Sequence, residues 1–510
     1  VDSEGRRLPA IENDPLAVQA IQGILQVAAS FSKYSDSAPW DRIPEYCREF
    51  VAVDQALSDI QFPRHLISAA ANVITQVFDR FDLSDIEPRH GPGAVASGER
   101  DEQKWVFKRI IQTAQPLYPF NKYFVGGTRW MDEFSIMDTF GRITEVPSGV
   151  AKLIFVEKTS SSLRTISMEP LELQYLQQGI MSKMVAHLQK HPLTRGHVNF
   201  DDQTINGNLA LVNSFTQVMG TMDLSAASDR LSLDLVKALF ANVDDNVLRY
   251  LVGTRSTHTK LPDGTLVELR KFAPMGSAVC FPTQSIVFFA LCVAAISMAR
   301  NISVYDAAQV VYVYGDDIIV NSSDMHSVAV ALESVGLKVN YTKSFHRGFF
   351  RESCGMFAFA GKDITPIRFR KSFPRTRGDG RTIASWLSYS HDCDRRGYRL
   401  TAEYIYTCIE DLIGKLPYGL DGCGYFCRRA ADEYELAVGL STWPHYRYNT
   451  SLWRFEIKVL VLHTPFRDAD FKTPFQRLTR DLLTDFSESD PSKVPVGRSG
   501  KPKSAWRPII

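Results

Sequence analysis

Apolar residues recur at three- and four-residue intervals through "PLAVQAIQGILQVAASF" and "HLISAAANVITQVFDRF", so residues 13–81 are expected to be mainly helical. The loop "EPRHGPGAVASGER", residues 87–100, breaks that rhythm with glycine and proline. Beyond it, runs rich in β-branched and aromatic residues predict strands around 151–156, 218–224, 266–272 and 310–320. Helical spacing predicts helices at 231–241, 283–300 and 326–335. "LPDGT" places Asp263 and Gly264 at the turn of a hairpin spanning 259–272. This order is that of an α+β fold, a sheet covered by helices on one face. After about Ile364 the composition changes, and 401–438 again reads as mainly helical. The end, "SDPSKVPVGRSGKPKSAWRPII", is rich in Ser, Pro, Gly and basic residues and reads as a loosely ordered tail. No internal repeat or low-complexity segment is present.

Composition narrows this picture only in places. A chain of 510 residues is too long for one ordinary core and suggests about three domains or one multi-lobed enzyme. Lys plus Arg (58) nearly cancels Asp plus Glu (57), so any nucleic-acid surface has to come from local segregation of charge. Eight irregularly spaced cysteines form no disulfide framework and are expected to be free thiols in a reducing compartment. Cys423 and Cys427, with His391 and Cys393 upstream, could be assembled into a zinc site, but the spacing fits no standard finger or ribbon, so scattered core cysteines are the preferred reading. The first residues carry neither an initiator Met nor an apolar signal core, so the chain reads as beginning inside a longer frame. The most apolar stretch, 286–299, is shorter than the ~20 residues a bilayer needs and is expected to be a buried helix, with the protein cytoplasmic.

The candidate chemistry centres on "VVYVYGDDIIVNSSD", residues 310–324. Two apolar runs around Gly315 and the adjacent carboxylates Asp316 and Asp317 read as strand, tight turn, strand. Rigidly held oxygens of this kind suit hard cations such as Mg2+. A third carboxylate is available in "GTMDLSAASDRLSLDLVKALF", where Asp223 ends an apolar strand before a small-residue loop, and Asp229 either caps the following helix or serves the site. If Asp223 and Asp316 face each other from neighbouring strands, they can share two Mg2+ ions about 4 Å apart, an arrangement suited to phosphoryl transfer. Lys152, Lys158 and Arg164, in "KLIFVEKTSSSLRTISMEP", are the upstream cations available to a triphosphate. A further patch, "RFRKSFPRTRGDGR", sets Arg368, Arg370, Lys371, Arg375, Arg377 and Arg381 against the single acid Asp379, with Phe369 and Phe373 interleaved. It suits a nucleic-acid backbone track with stacking positions.

"DLSAASD", "PMGSAVCFPTQS", "YGDD", "VNYTKSF" and "FRESCG", in this order, resemble the successive palm motifs of RNA-directed RNA polymerases. The wording is closest to the replicase catalytic subunits of the single-stranded RNA bacteriophages, the family of the Qbeta replicase, over about residues 152–366. The resemblance implies a right-hand polymerase. Its parts would be fingers with a helical N-terminal extension (1–215), a palm with an antiparallel sheet and a small hairpin insertion (216–363), a mostly helical thumb (364–490) and a basic flexible tail (491–510). It further implies that Asp223, Asp316 and Asp317 hold two Mg2+ ions, for which Mn2+ can substitute. Lys158 and Arg164 would contact the incoming triphosphate, Lys343 would protonate the leaving pyrophosphate, and Arg351 would lie near the product backbone. Where many polymerases open the pre-helix loop with Ser-Gly or Thr-Gly, this chain has Pro274, Met275 and Gly276, and no Asn occurs in 276–290. Ser285 and Asp229 are then the candidates for reading the ribose 2'-hydroxyl, with Gly276 beside the nucleotide. The implied setting is primer-independent copying of a phage genome in the cytoplasm of an infected bacterium. The implied partners are RNA template and product, nucleoside triphosphates, host translation elongation factors and a ribosomal protein, with no membrane.

Two other readings stay open. A reverse transcriptase also carries paired aspartates in a hairpin, but it usually places a bulky aromatic after the first aspartate, where this chain has Ser225, Ala226, Ala227 and Ser228. A non-catalytic RNA-binding or virion protein would use the basic patches alone and would leave the three aspartates unexplained.

Overall fold

In the computed structural model the helical spacing of the first part becomes α1 (Pro15–Ala29), α2 (Ile43–Gln55) and α3 (Arg64–Val77). The structure describes residues 14–34, 38–124, 143–243, 245–463 and 500–509. The chain divides into two compact units, and it does so by interleaving. The first holds residues 1–23, 40–156 and 163–365, and the second holds 24–39, 157–162 and 366–510. The first unit runs through residue 215 and ends at 365.

Mixed helices and strands build the first unit, as the α+β reading requires. After β1 (Gly149–Thr159) and β2 (Ser162–Met168) come α4 (Leu171–Leu188) and α5 (Thr204–Thr216), then β3 (Met219–Met222), α6 (Leu233–Phe240), β4 (Ser256–Lys260) and β5 (Leu266–Glu268). These are followed by α7 (Cys280–Arg300), β6 (Val311–Tyr314), β7 (Asp317–Asn321), α8 (Met325–Ser334), β8 (Phe350–Ser353) and β9 (Met356–Phe359). β7 is the middle strand of an antiparallel trio, β3–β7–β6. On its other edge β3 is joined by the segment after α8, through backbone bonds between Thr221 and Phe345 in both directions. Strands β2–β1–β4–β5 form a second sheet, with Gly264 at φ +94° in the expected Asp-Gly turn.

The core of this unit is organised on α7. Its 21 residues are apolar on every face, and those from 282 to 296 are all buried, which is how such a helix avoids water inside a protein. By length and composition it could cross a bilayer, yet it packs here among α3, α8 and β6, as the expectation of a buried helix requires. Arg300 closes its last turn with a two-pronged ion pair to Asp324, at 2.6 and 2.7 Å.

In the second unit, α9 (Gly380–Arg395) and α10 (Arg399–Ile413) pack through Ile383, Leu387, Ile405 and Ile409. α11 (Glu433–Leu440) and a sheet of β10 (Tyr446–Asn449), β11 (Arg454–His463) and β12 (Lys501–Pro508) complete it. Two expectations are corrected here. The described residues after 364 mix helices with strands, and residues 501–508 are not a loose tail but a strand paired along its whole length with β11. Alternation in "KPKSAWRP" sets Trp506 under the Arg447 guanidinium, 4.3 Å away, and both prolines are tolerated because β12 is an edge strand. Residues 491–499 of the expected tail lie outside the described residues. The early segment 24–39 is built into this unit: Gln26 exchanges both amide hydrogen bonds with the backbone of Ile367, at 2.7 and 2.8 Å, and Phe31 meets Phe369 edge to face at 4.7 Å.

Candidate active site

Gly315 and Asp316 are the whole connection between β6 and β7, since Tyr314 already pairs with Asp317. Only the first of these two turn residues has a positive φ, +63°, the pattern of a hairpin turn with glycine first. A Cβ on Gly315 would also stand 2.5 Å from the Phe281 ring of α7, so backbone and space both require glycine. The turn leaves Asp316 exposed at the tip and makes Asp317 the first residue of β7. Because Met222 pairs with Ile318, Asp223 follows β3 to the position opposite Asp317.

Their electrostatics report the same convergence. The Asp317 carboxyl is pushed up to about 6, chiefly by burial, then by the negative charge of Asp316 and further by Asp223, against hydrogen bonds from the Cys354 backbone and the Ser353 hydroxyl. Asp223 is oriented by Asn340, whose Nδ2 donates to Oδ2 at 2.9 Å and whose backbone N–H donates to the Asp223 carbonyl at 2.9 Å. The Asp223 N–H in turn donates to Ser344 Oγ at 3.2 Å.

An all-oxygen donor set, two of its members fixed by a tight turn, fits a hard divalent cation, which would offset both the burial and the neighbouring negative charge that raise Asp317. Among the described residues, no three acidic, histidine or cysteine side chains close on one point as placed. Because Asp317 holds its proton more tightly folded than unfolded, its stabilising contribution is complete below its ordinary value of 3.8 and is lost as pH rises through about 6. Asp317→Asn is therefore expected to stabilise the chelator-treated protein by about 1–2 kcal/mol at pH 7.5 and by little below pH 4. Calorimetry across that range in EDTA measures it. A variant less stable than the parent at pH 7.5 would contradict the crowding of charge.

The other expected site residues separate. Lys343 is exposed at the end of a one-turn helix beginning at Tyr341, its N–H bonded to the carbonyl of the same Asn340 that orients Asp223. Arg164 and Lys152 are exposed on β2 and β1, whereas Lys158 lies on the hairpin tip that belongs to the second unit. Gly276, at φ +122°, packs against β2 so closely that a Cβ would stand 2.1 Å from the Ser167 carbonyl oxygen. Gly276→Ala is expected to cost about 3 kcal/mol, read as a lowered thermal midpoint. Asp229 does not cap its helix; it sits inside the short turn Ala227–Arg230, and its Oδ1 accepts from Lys271 Nζ at 3.0 Å.

Two expectations are corrected by burial. Arg351 is fully buried, and its guanidinium donates to the backbone carbonyls of Met219, Gly348, Phe350 and His346, so it ties β8 to β3 and has no face for RNA. Ser285 is also fully buried, with its hydroxyl donating to the Phe281 carbonyl one turn back in α7, so as placed it reaches no ribose.

Sequence reasoning passed over Lys271. Fully buried, it lies 3.0 Å from Asp229, 4.0 Å from the buried Asp54 and 3.5 Å from the centre of the Phe50 ring. Buried Arg255 positions its segment by donating to the carbonyls of Phe272, Leu269 and Lys271. Asn340 and Ser344 stood inside a quoted motif, "VNYTKSF", without an assigned role.

Of the candidate zinc ligands, Cys423 and Cys427 approach to 3.4 Å, and His391 Nε2 comes within 4.0 Å of the Cys427 sulfur. That same nitrogen donates to the Cys427 carbonyl at 3.0 Å, so it is spent as a donor, while Cys393 belongs to the helical core. All eight cysteines are free thiols, as expected.

Comparison with known proteins places this site in context. The family described as "RNA replicase, beta-chain" matches residues 128–376. The chain is 36% identical over 228 residues to the RNA-directed RNA polymerase subunit beta of Qbeta virus (strain MX1), over 45% of this chain and 36% of that protein. It is 34% identical to the corresponding subunit of Escherichia virus Qbeta, over 45% and 36%, and 33% identical to the RNA-directed RNA polymerase beta chain of Escherichia phage MS2, over 42% and 37%. The chain thus matches little more than a third of these relatives' own length. A solved RNA-dependent RNA polymerase of a human picorbirnavirus aligns with a TM-score of 0.46 at 12% identity, over 84% of this chain and 81% of that one. The resemblance expected over residues 152–366 is borne out.

Proposed function

We propose that this chain, which resembles the replicase β subunits of single-stranded RNA phages, is an RNA-directed RNA polymerase. It would join an RNA 3'-hydroxyl to the α-phosphate of a template-selected ribonucleoside triphosphate and release pyrophosphate. The single observation that carries this reading is the placing of Asp223, Asp316 and Asp317 at one end of the β3–β7–β6 strands, with Asp317 raised chiefly by burial and further by the other two.

Asp223, Asp316 and Asp317 would hold Mg2+, or Mn2+ in its place, which when bound neutralises phosphate charge and acidifies the attacking hydroxyl. The chain's own residues do the positioning. Asn340 and Ser344 fix Asp223, while Ser353 and the Cys354 N–H fix Asp317. Lys343, exposed on the segment that carries Asn340, is the proton donor to the departing pyrophosphate. Arg164 and Lys158 are the triphosphate contacts. Asp229, paired with Lys271, accepts from the ribose 2'-hydroxyl beside the Gly276 loop, and the 368–377 segment contacts RNA phosphates.

In right-hand terms residues 1–215 would be fingers, 216–363 palm and 364–490 thumb. The relatives' names describe subunits, which fits assembly with further chains; host translation elongation factors and a ribosomal protein, in the cytoplasm of an infected bacterium, are the expected partners. Incorporation of labelled ribonucleotides on an RNA template with Mg2+, run beside deoxynucleotides and with or without bacterial extract, tests the reading. Template-dependent ribonucleotide incorporation supports it. Preference for deoxynucleotides, or silence that extract does not relieve, would overturn it.

A further inference from the structure

Within the second unit, α9, α10 and the loop before α9 enclose a cavity of about 320 Å3 whose walls are mostly aromatic. Phe369 stacks on Trp386 at 5.3 Å and 25°, while Phe373 and Tyr389 meet the same indole edge to face at 5.1 and 5.6 Å. Trp386 Nε1 donates to the carbonyls of both Lys371 and Ser372, at 3.1 and 3.0 Å, so the indole pins the loop as one wall. The opposite wall comes from α10, where Thr401 and Tyr404 add hydroxyls and Tyr404 as a residue is 72% exposed. A core would not leave rings of this size open to water.

The loop that makes the first wall is the basic one. Arg370, Lys371, Arg375 and Arg377 are all exposed, and none makes an ion pair among the described residues. The single acid of the loop, Asp379, accepts from the backbone N–H groups of Arg375 and Thr376 and so shapes the turn, with the positive charge of Arg375 nearby. Flat apolar walls, a rim of hydroxyls and unpaired cations along one lip are complementary to a planar ring attached to phosphates. An acidic peptide would satisfy the cations but would have no flat group for the space between Phe373 and Tyr404.

We infer that this cavity takes a single unstacked nucleobase of single-stranded RNA, with the flanking phosphates on Arg370, Lys371, Arg375 and Arg377. The inference deepens the RNA contact proposed for this loop and rests on that reading, but not on the nucleotidyl-transfer chemistry. Stacking is worth about 1–3 kcal/mol per base, so removal of one wall should weaken binding about fivefold or more.

The test uses the full chain in EDTA, where no synthesis occurs, and two fluorescent probes, a 12-nucleotide single-stranded RNA and an abasic ribose-phosphate oligomer of equal length. Tyr404→Ala and Phe373→Ala are expected to weaken RNA binding at least about fivefold and to leave the abasic oligomer unaffected. Replacing the four loop cations by Gln should weaken both probes. RNA carrying 4-thiouridine should cross-link to peptides containing Phe373, Trp386 or Tyr404. If Phe373→Ala fails to fold, the exposed Tyr404 supplies the decisive variant. Unchanged RNA affinity in a folded Tyr404→Ala protein, equal losses for both probes, or displacement of the RNA by a poly-glutamate peptide at lower concentration than by unlabelled RNA would each overturn the inference. Base-dependent binding without incorporation in the separate synthesis assay would leave the cavity assignment standing and the polymerase reading refuted.

Discussion

Replacing Asp223 or Asp316 by Asn is expected to lower ribonucleotide incorporation by about a thousandfold or more, equivalent to roughly 4 kcal/mol of transition-state stabilisation. Asn keeps the size and one oxygen of each side chain and removes the charge. The hairpin should be undisturbed, because Gly315 and the β6–β7 register, not the carboxylates, set its shape. RNA affinity should stay within about twofold, since the phosphate contacts proposed for this chain lie elsewhere. Single-turnover extension of a labelled RNA, with binding measured on the same preparations, separates the two quantities. Activity within tenfold of the parent in either variant would exclude that carboxylate from the chemistry.

Lys271→Met is expected to destabilise the first unit by about 3–5 kcal/mol, the usual consequence of removing one member of a buried charge cluster. Methionine matches the length of the lysine stem and fills its space against Phe50, so the loss isolates the charge. Left behind are Asp54, 2% exposed, and Asp229, 16% exposed, without the ammonium between them. Asp54 keeps the backbone N–H groups of Arg270 and Lys271, so Asp229 should carry most of the penalty. Adding Asp229→Asn to Lys271→Met should therefore recover a substantial part of the thermal midpoint. If the double variant is no more stable than the single, the pair does not hold the Asp229 loop in place.

Much of the site was legible because its decisive features are local. A glycine followed by aspartates between two β-branched runs has one economical solution, and that solution fixes where both carboxylates stand. Asp223 was legible for a related reason, as a charge that ends an apolar strand with no capping role. Lys271 and Arg351 were not legible, since an isolated basic residue in a sequence looks solvated until its partners are known. Those of Lys271 lie 42 and 217 residues away, and one acceptor of Arg351 lies 132 residues away. β12 was misread because its prolines and lysines are the composition of a tail; the long strand that accepts it decides otherwise. Ser285 shows the converse limit: a motif position does not say whether a hydroxyl faces a ligand or its own helix.

The interleaving of the two units also sets a timetable for synthesis. Phe31 and Tyr34 leave the ribosome more than three hundred residues before Phe369, the ring they meet in the folded protein. At bacterial elongation rates of ~5–20 residues per second the wait is roughly 15–65 s, far longer than the folding time of a small domain. Vectorial folding of the second unit is therefore foreclosed. Its earliest segment stays without its partners until the ribosome has passed residue 366.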